Sequence, residues 1–486
     1  MAWTLGCVNV IGLVLAHMWV AHRRSLMSAA GIIDSDGRHD TIVAPATAQA
    51  PAGVAVVRLS GPRALQIGAK IGDRDSHDLS HGQMRFGHLH GADGPIDEGY
   101  VVAFHAPRSF TTEHVVEIHC HGATAVVRAI CDAAVHWGAR PAKAGEFTRR
   151  AWLGGRLDLV QAEALLDLIS ADSDRARQQA LAHLDGRLSS ELGSIRTPLL
   201  SVLADLEARL DFATEQDVDD LNRDQLCADL SSLVDRLQHL VQSAEAGRLR
   251  VHGLRVALYG APNAGKSTLF NGLVGSDRAL VHDQPGTTRD HVEANSVVDG
   301  FGVTWVDTAG IRETQQEVEA AGIERARQAA IASDIVIWLT DRSGPMPEMP
   351  TPPGWQSDSG PVVLAYGSHA DRSAAPGTHL HHQWPAISAL EATDVERIRQ
   401  DIASAIRKKT QAMGDALVLT RARQARSLAM AAEHLERACQ ALAAQMSLEL
   451  PSADVRDAID QLDEVTGRVV PDDVLEVIFS QFCIGK

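Results

Sequence analysis

The segment Gly260-Ala-Pro-Asn-Ala-Gly-Lys-Ser267 has the spacing of a phosphate-binding loop, G-x4-G-K-[ST]. The strand Arg255–Tyr259 is predicted before it and the helix Thr268–Leu273 after it, which is the context that such a loop needs. Glycines let the backbone amides wrap phosphate oxygens, and the helix N-terminus adds partial positive charge. Lys266 can reach the terminal phosphates, and Ser267 can ligate magnesium. The predicted nucleotide contacts here are Asn263, Ala264, Gly265, Lys266, Ser267 and Thr268.

A second motif, Val303-Thr-Trp-Val-Asp-Thr-Ala-Gly310, predicts a strand that ends in an acidic residue. Asp307 can hold magnesium through water, and the amide of Gly310 can face a γ-phosphate. The tetrapeptide Asp307-Thr-Ala-Gly310 is a weak signal alone. Downstream of a phosphate loop, it distinguishes a GTPase from a generic ATPase. We therefore expect nucleotide contacts from Asp307, Thr308, Ala309 and Gly310.

Between these motifs lies Asp283-Gln-Pro-Gly-Thr-Thr-Arg-Asp290, which has the composition of a switch segment. A switch needs a threonine that completes the magnesium shell only when the γ-phosphate is present, and Thr288 is the best candidate. The alternative is an ordinary Gly/Pro turn. The predicted nucleotide contacts are His282, Asp283, Gln284, Pro285, Gly286, Thr287 and Thr288.

The expected base-recognition element departs from Asn-Lys-x-Asp, because the strand Val362–Ala365 is followed by Ser368-His-Ala-Asp371. Asp371 can still accept hydrogen bonds from the guanine N1 and N2 groups. Ser388-Ala-Leu390 suits a last base-contacting loop. We therefore expect guanine preference that is weaker than usual.

Many GTPases place a water-orienting glutamine after the Asp-x-x-Gly motif. This chain has Ile311 there, which cannot orient water. Glu317 and Glu319 are the nearest acidic candidates downstream. Another group must therefore position the attacking water.

A length of 486 residues predicts two to four domains. The pattern of predicted secondary structure changes several times along the chain. Mixed strands and helices occupy 39–155, helical periodicity covers 156–250, strands and helices alternate over 251–408, and helices return over 409–486. The simplest architecture is an α/β and α+β multidomain chain, with a P-loop GTPase domain inserted into a helical domain. Residues 1–38 form a leader, interpreted as an extension upstream of the true start, with Met27 as an alternative initiator.

The net charge of −17 means that any nucleic-acid contact needs a local basic patch or a partner. The cysteines form no CxxC pair, so neither a zinc ribbon nor a disulfide framework is indicated, and a cytoplasmic, reducing setting fits best. The apolar part of the leader is short for a membrane span, so we expect no membrane partner. The six cysteines are Cys7, Cys120, Cys131, Cys227, Cys439 and Cys483.

Taken together, the motifs resemble those of the MnmE (TrmE) family, the potassium-activated tRNA modification GTPases. The resemblance extends from Asp40 to Lys486 and includes Gly53–Gly61, Gly145–Ala151 and the C-terminal Phe482-Cys-Ile-Gly-Lys486. It implies a folate-binding α+β domain before the helical domain, a homodimer, and an FAD-dependent MnmG partner in a heterotetramer. It also implies addition of an aminomethyl or carboxymethylaminomethyl group to C5 of the tRNA wobble uridine. A 5-formyl- or methylenetetrahydrofolate would supply the one-carbon unit, beside GTP, Mg²⁺ and K⁺.

The family's functional residues fall on matching positions of this chain. The resemblance implies that Glu319 is the catalytic acid acting through water and that Cys483 is required for modification. Arg156 stands where the family often has lysine, which keeps the charge and changes the geometry. The folate positions are Arg58, Glu117, Arg156 and Lys486, the potassium site is Asn263, His282, Gln284 and Thr287, and the magnesium ligands are Ser267 and Thr288.

Two other functions stay open from the sequence. A GTP-dependent ribosome assembly factor would share the GTPase motifs, but it needs neither the folate-type domain nor the C-terminal tail. A folate-dependent one-carbon transferase with a vestigial nucleotide site would explain the weak element Ser368–Asp371. Loss of modified wobble uridine from the tRNA of a deletion strain would distinguish a tRNA modification GTPase from these two alternatives.

Overall fold

The computed structural model describes residues 40–48, 51–211, 221–260, 263–275, 292–307, 327–342, 360–371, 384–410 and 418–486. These residues form two compact units. The first comprises the described parts of Met1–Leu166, His183–Asp220 and Gln445–Lys486, and the second those of Asp167–Ala182 and Leu221–Ala444. Within the described ranges, every helix is too short or too polar to cross a membrane. The predicted leader 1–38 lies outside these ranges, and the predicted domain boundaries stay a prediction.

The first unit contains a six-stranded sheet with the order β3-β4-β5-β2-β1-β6. Neighbouring strands are antiparallel except β1 and β6, which are parallel. The strands are β1 (Ile42–Pro45), β2 (Ala52–Ser60), β3 (Met84–Gly91), β4 (Gly94–Phe104), β5 (Val115–Gly122) and β6 (Arg140–Pro141). The apolar segments Val54–Leu59, Tyr100–His105 and His114–His119 predict three strands, which are confirmed as β2, β4 and β5.

Buried and more exposed side chains alternate along β2, so one face of the sheet packs on a core and the other face is open. Val57 and Leu59 are fully buried and pack in one apolar cluster with Ile118 of β5. Helices α1 (Ala64–Ile71) and α2 (Thr124–His136) contribute Ile67 and Ile130 to the same cluster. Because successive side chains of a strand point to opposite faces, the side chain of Arg58, between Val57 and Leu59, projects away from this core.

The remaining α-helices within the described ranges are α3 (Glu146–Leu153), α4 (Leu159–Ile169), α5 (Asp174–Leu184), α6 (Arg187–Asp211), α7 (Arg223–Gln242), α8 (Ala244–His252), α9 (Lys266–Gly275), α10 (Ala392–Thr410), α11 (Ala422–Ala443), α12 (Glu449–Thr466) and α13 (Asp472–Ser480). In the first unit α6 packs on α12, where Arg196 forms a bidentate ion pair with Asp463 (2.6 and 2.8 Å). In the second unit α7 packs along α11.

The second unit contains a five-stranded sheet with the order β11-β10-β7-β9-β8. Four strands are parallel and β8 is antiparallel to β9. The strands are β7 (Leu254–Gly260), β8 (Val292–Val298), β9 (Phe301–Asp307), β10 (Ile335–Asp341) and β11 (Val362–Ser368). Buried strand residues such as Trp305 and Leu258 pack with Leu269 of α9 and Ile402 of α10 in one core. The carboxyl ends of the parallel strands meet at one edge of the sheet, where such folds bind ligands.

Candidate functional site

The predicted phosphate loop lies between β7 and α9, as the strand–loop–helix pattern requires. Gly260 ends β7 with a φ of +154°, and a Cβ atom there would lie 2.1 Å from the carbonyl oxygen of Leu339 on β10. Asn263 and Gly265 have φ angles of +64° and +81°. Gly260 therefore permits a close approach to the neighbouring strand that a side chain would obstruct, and Gly265 adopts its left-handed backbone without strain. Ala264 is buried and Thr268 is exposed.

Lys266 and Ser267 begin α9 and reach back across the loop. The ammonium of Lys266 donates a hydrogen bond to the carbonyl oxygen of Gly260 over 2.9 Å. Burial lowers the pKa of Lys266, and the carboxylate of Asp307 opposes this shift. The hydroxyl of Ser267 donates to Oδ2 of Asp307 over 2.9 Å. A cationic nitrogen, a hydroxyl and a carboxylate thus converge at one edge of the sheet.

The base-recognition element follows β11 and contacts the phosphate loop. The hydroxyl of Ser368 is buried and donates to the carbonyl oxygen of Thr340 over 3.1 Å. Nε2 of His369 lies 3.0 Å from the carbonyl oxygen of Asn263. Asp371 is exposed. The side chain in the lysine position of the usual tetrapeptide therefore links the two loops, and the aspartate is accessible.

The predicted last base-contacting loop, Ser388–Leu390, lies beside this element. The amide of Ile387 donates to the carbonyl oxygen of Gly367 over 2.8 Å, and the amide of Ala370 donates to the carbonyl oxygen of Ile387 over 3.0 Å. Four separate segments therefore converge at the carboxyl edge of the sheet. The other predicted nucleotide and catalytic residues lie outside the described ranges, namely His282, Asp283, Gln284, Pro285, Gly286, Thr287, Thr288, Thr308, Ala309, Gly310 and Glu319.

In the first unit, the predicted folate residues gather on the open face of the six-stranded sheet. Arg58 and Glu117 are direct partners across β2 and β5, and the guanidinium of Arg58 contacts Oε1 of Glu117 through Nε (2.9 Å) and Nη2 (2.8 Å). The guanidinium groups of Arg58 and Arg156 lie 5.6 and 5.5 Å from the ring centroid of Phe110. Arg156 also donates to the carbonyl oxygen of Ser109. Two cations therefore lie near one aromatic ring, and one of them is paired with a carboxylate.

The C-terminal residues Phe482–Lys486, here called the tail, lie against the same face. Nη1 of Arg58 donates to the carbonyl oxygen of Gly485 over 3.4 Å. Cys483 is exposed and Lys486 is half-buried. The structure thus brings Arg58, the partner of Glu117, into contact with the tail that carries Lys486 and Cys483.

Two sequence comparisons bear on these sites. The family model described as "GTP-binding protein TrmE N-terminus" matches residues 41–156, and "MnmE helical domain" matches residues 159–483. The tRNA modification GTPase MnmE of Syntrophotalea carbinolica is 39% identical over 464 residues, covering 92% of this chain and 99% of that protein. The chain belongs to the MnmE family. The MnmE of a Synechococcus species is 40% identical over 466 residues, covering 92% of this chain and 99% of that protein.

Membership of the MnmE family confirms the predicted fold class and the prediction of a tRNA modification GTPase, a GTP hydrolase. The roles of the individual site residues stay predictions. Among the described residues, both predicted groups are assembled from distant parts of the sequence: Lys266, Ser267 and Asp307 in one unit, and Arg58, Glu117, Arg156 and Lys486 in the other.

In this MnmE-family chain, Arg140 and Arg150 belong to a local concentration of basic residues, but the sequence does not show that both join an ionic network beside the tail. Arg150 is buried, and its guanidinium contacts Asp40 (2.6 Å), Glu113 (3.0 Å) and Glu146 (3.2 Å). Arg140 adds a second cation, with Nη1 2.9 Å from Oε2 of Glu146. Gly145–Ala151 carries part of the family resemblance, so that motif was the available signal, but spacing alone does not reveal the acidic partners.

Proposed function

We propose that this chain hydrolyses GTP to GDP and phosphate and uses the cycle to drive modification of the tRNA wobble uridine. The product would carry an aminomethyl or carboxymethylaminomethyl group at C5. The observation that carries the proposal is the contact of Ser267 with Asp307 beside Lys266, in a chain whose other unit seats a cysteine-bearing tail on the Arg58–Glu117 pair. A GTPase alone would not require the second arrangement.

The donor set at the carboxyl edge of the sheet suits magnesium and a triphosphate. Magnesium prefers oxygen ligands, and here a hydroxyl oxygen lies 2.9 Å from a carboxylate oxygen. Ser267 would ligate the ion with Thr288, and Asp307 would hold it through water. Bound magnesium neutralises charge that develops on the phosphate oxygens. Lys266 and the backbone amides of Asn263–Thr268 would bind the phosphates, and Asp371 would accept hydrogen bonds from guanine.

We also propose that potassium supplies positive charge to the hydrolytic step through Asn263, His282, Gln284 and Thr287. Asn263 supports this role because its side chain is exposed at the phosphate loop. Preorganised positive charge near the transferred phosphoryl group stabilises the transition state. Glu319 would orient the attacking water, since Ile311 has no polar side-chain atom.

In the first unit, we propose that Arg58, Glu117, Arg156 and Lys486 bind a 5-formyl- or methylenetetrahydrofolate. Folates combine a flat heterocycle with carboxylates, and the described face offers an aromatic ring, a carboxylate and guanidinium groups. Carboxylates pair well with arginine, and a flat ring can stack on Phe110. Cys483 would take part in the modification step.

The proposed assembly is a homodimer that works with an FAD-dependent MnmG partner as a heterotetramer on tRNA in the cytoplasm. A separate flavoprotein fits the proposal, because the reaction needs redox chemistry that neither described residue group offers. The tRNA contact of so acidic a chain would depend on a local basic patch or on the partner.

The test is nucleoside analysis of tRNA from a deletion strain that carries plasmid-borne variants. The full-length chain should restore the modified wobble uridine, and Lys266→Ala should not restore it because phosphate binding fails. Cys483→Ser should keep GTP turnover and lose modification. Normal wobble uridine modification in the deletion strain would refute the proposal, and rescue by Lys266→Ala would separate modification from GTP hydrolysis.

A further inference from the structure

The tail is anchored on both sides of its cysteine. Phe482 is buried, with its ring centroid 5.9 Å from that of Phe479, in an apolar cluster that includes Trp152. On the other side, the carbonyl oxygen of Gly485 accepts the hydrogen bond from Arg58. Cys483 lies between these two anchors and is exposed. The main chain is held on each side while the thiol stays accessible.

Backbone hydrogen bonds fix the two residues between the anchors, Cys483 and Ile484. Ala144 and Ile484 form an antiparallel β-bridge. The carbonyl oxygen of Cys483 accepts from the amides of Gly145 (3.5 Å) and Lys486 (3.3 Å). The side chain of Ile484 is 62% exposed, so this residue is attached through its backbone and not through a buried side chain.

Two glycines permit this close attachment. Gly485 has a φ of +97°, and a Cβ atom there would lie 1.8 Å from the carbonyl oxygen of Pro45. Gly145 has a φ of +65°, and a Cβ atom there would lie 2.4 Å from the carbonyl oxygen of Phe479. Both obstacles are main-chain atoms, which cannot rotate away as a side chain can. A side chain at Gly485 would push the tail away from Pro45, and a side chain at Gly145 would push away the last turn of α13, which leads into the tail.

Arg58 connects this seat to the sheet. Its guanidinium engages Glu117 through two nitrogens and the carbonyl oxygen of Gly485 through the third. The planar fork of arginine can hold both partners at once, whereas the ammonium of lysine is a single point charge. The salt bridge therefore orients the group that holds the tail.

We propose that Gly145, Gly485 and Arg58 are positioning residues that hold the thiol of Cys483 at the Arg58–Glu117 face. This inference rests on the proposed function, in which that thiol takes part in tRNA modification. Displacement of a reacting group by about 1 Å can lower a rate roughly 100-fold. Release of the tail should therefore reduce modification strongly although the thiol itself is unchanged.

The first test measures the tail directly, by hydrogen exchange of the C-terminal peptide in the full-length protein. Gly485→Ala should raise the exchange of the tail amides to the rate of an open chain. Gly82→Ala is the matched control, because Gly82 also has a positive φ (+71°) but a Cβ atom there would meet nothing within 4 Å. Wild-type protection of the tail in Gly485→Ala would overturn the inference.

The second test compares modification with GTP turnover in the same variants. Gly485→Ala should lower the ratio of tRNA modification to GTP turnover about 100-fold, and Arg58→Lys should lower it less, because one donor to the tail is kept. Gly82→Ala should leave the ratio unchanged. A tail that is released in Gly485→Ala while modification proceeds at the wild-type rate would overturn the positioning role.

The two tests also separate this inference from the proposed function. If Cys483→Ser modifies tRNA normally, the proposed role of the thiol fails, and the exchange experiment still decides whether the tail is seated as described. If Cys483→Ser is inactive and Gly485→Ala is fully active, the thiol is required and its fixed position is not.

Discussion

The hydroxyl of Ser267 donates a hydrogen bond to a carboxylate oxygen of Asp307 over 2.9 Å, joining the first turn of α9 to the end of β9. The two residues are 40 positions apart in the sequence. They meet because β7 and β9 are parallel neighbours, with Leu258 opposite Asp307, so the loop after β7 opens at the same edge as the end of β9. This contact places a hydroxyl and a carboxylate where the proposed magnesium would bind.

Replacing Ser267 tests that role. Ser267→Ala should lower magnesium-dependent GTP turnover by roughly 100-fold or more, because loss of a metal ligand removes several kcal/mol of charge stabilisation. The measurement is phosphate release as a function of magnesium concentration. Ser201→Ala is a suitable control, since the hydroxyl of Ser201 bonds the carbonyl oxygen of Thr197 within α6. A variant with wild-type magnesium dependence would remove Ser267 from the metal site.

Sequence patterns predicted the second unit better than the first, for a physical reason. Parallel strands buried on both faces give apolar runs, such as Val256–Leu258 of β7, and the glycine-rich phosphate loop marks the end of that strand. In contrast, β3 contains His88 and His90, and β6 has two residues, so neither has a recognisable hydrophobic period. A local hydrophobic pattern therefore reveals a strand only when the side chains of that strand are buried.

The candidate sites show a similar limit. Lys266 and Ser267 were predictable because their neighbours in sequence define the loop. The contact of Arg58 with Gly485 joins residues 427 positions apart, and the contact of His369 with Asn263 joins residues 106 apart. Such pairs depend on strand order and chain topology, which no short motif encodes. Family resemblance supplied Arg58, and only the structure supplied its partner in the tail.

Exchange of potassium for sodium tests the proposed cation site. We expect the wild type to hydrolyse GTP much faster in potassium than in sodium. Asn263→Gly should lower the rate in potassium to the rate in sodium, while nucleotide binding is retained. Glycine is the informative replacement, because Asn263 has a φ of +64°, which glycine adopts without strain. Turnover should be measured at constant ionic strength. Equal rates in both salts for the wild type would contradict the potassium mechanism.

The contact between His369 and the phosphate loop predicts an effect on affinity. His369→Gly should weaken GDP binding about five-fold, since one hydrogen bond contributes about 1 kcal/mol. Glycine again avoids strain, because His369 has a φ of +58°. His369→Lys keeps a donor and should bind GDP as the wild type does. Calorimetry with GDP checks both variants, and an unchanged dissociation constant in His369→Gly would show that the contact does not hold the loop.

The ionic network around Glu146 ties the tail-binding region to the six-stranded sheet. Oε2 of Glu146 accepts from the amide of Lys143 (2.8 Å) and from Arg140 (2.9 Å), and Oε1 lies 3.2 Å from Arg150. Burial alone would raise the pKa of Glu146. The hydrogen bonds from Arg140 and Lys143 and the charges of both arginines outweigh burial, so the pKa is lowered from 4.5. A carboxyl group with a lower pKa in the folded state stabilises the fold above its unfolded pKa, and this contribution is lost as the pH falls through the folded pKa.

Glu146→Gln should therefore destabilise the first unit at pH 7 by about 3–5 kcal/mol, the cost of breaking a buried ion pair. The difference from the wild type should narrow below about pH 4.5, because the carboxyl group of the unfolded wild type then takes up its proton while that of the folded state does so at lower pH. Urea unfolding with hydrogen exchange of peptides from β2 and β5 reports on this unit within the full chain. Glu98→Gln, which breaks the exposed pair with His88, should cost less than about 1 kcal/mol. A pH-independent difference between Glu146→Gln and the wild type would show that the glutamate acts through packing and not through its charge.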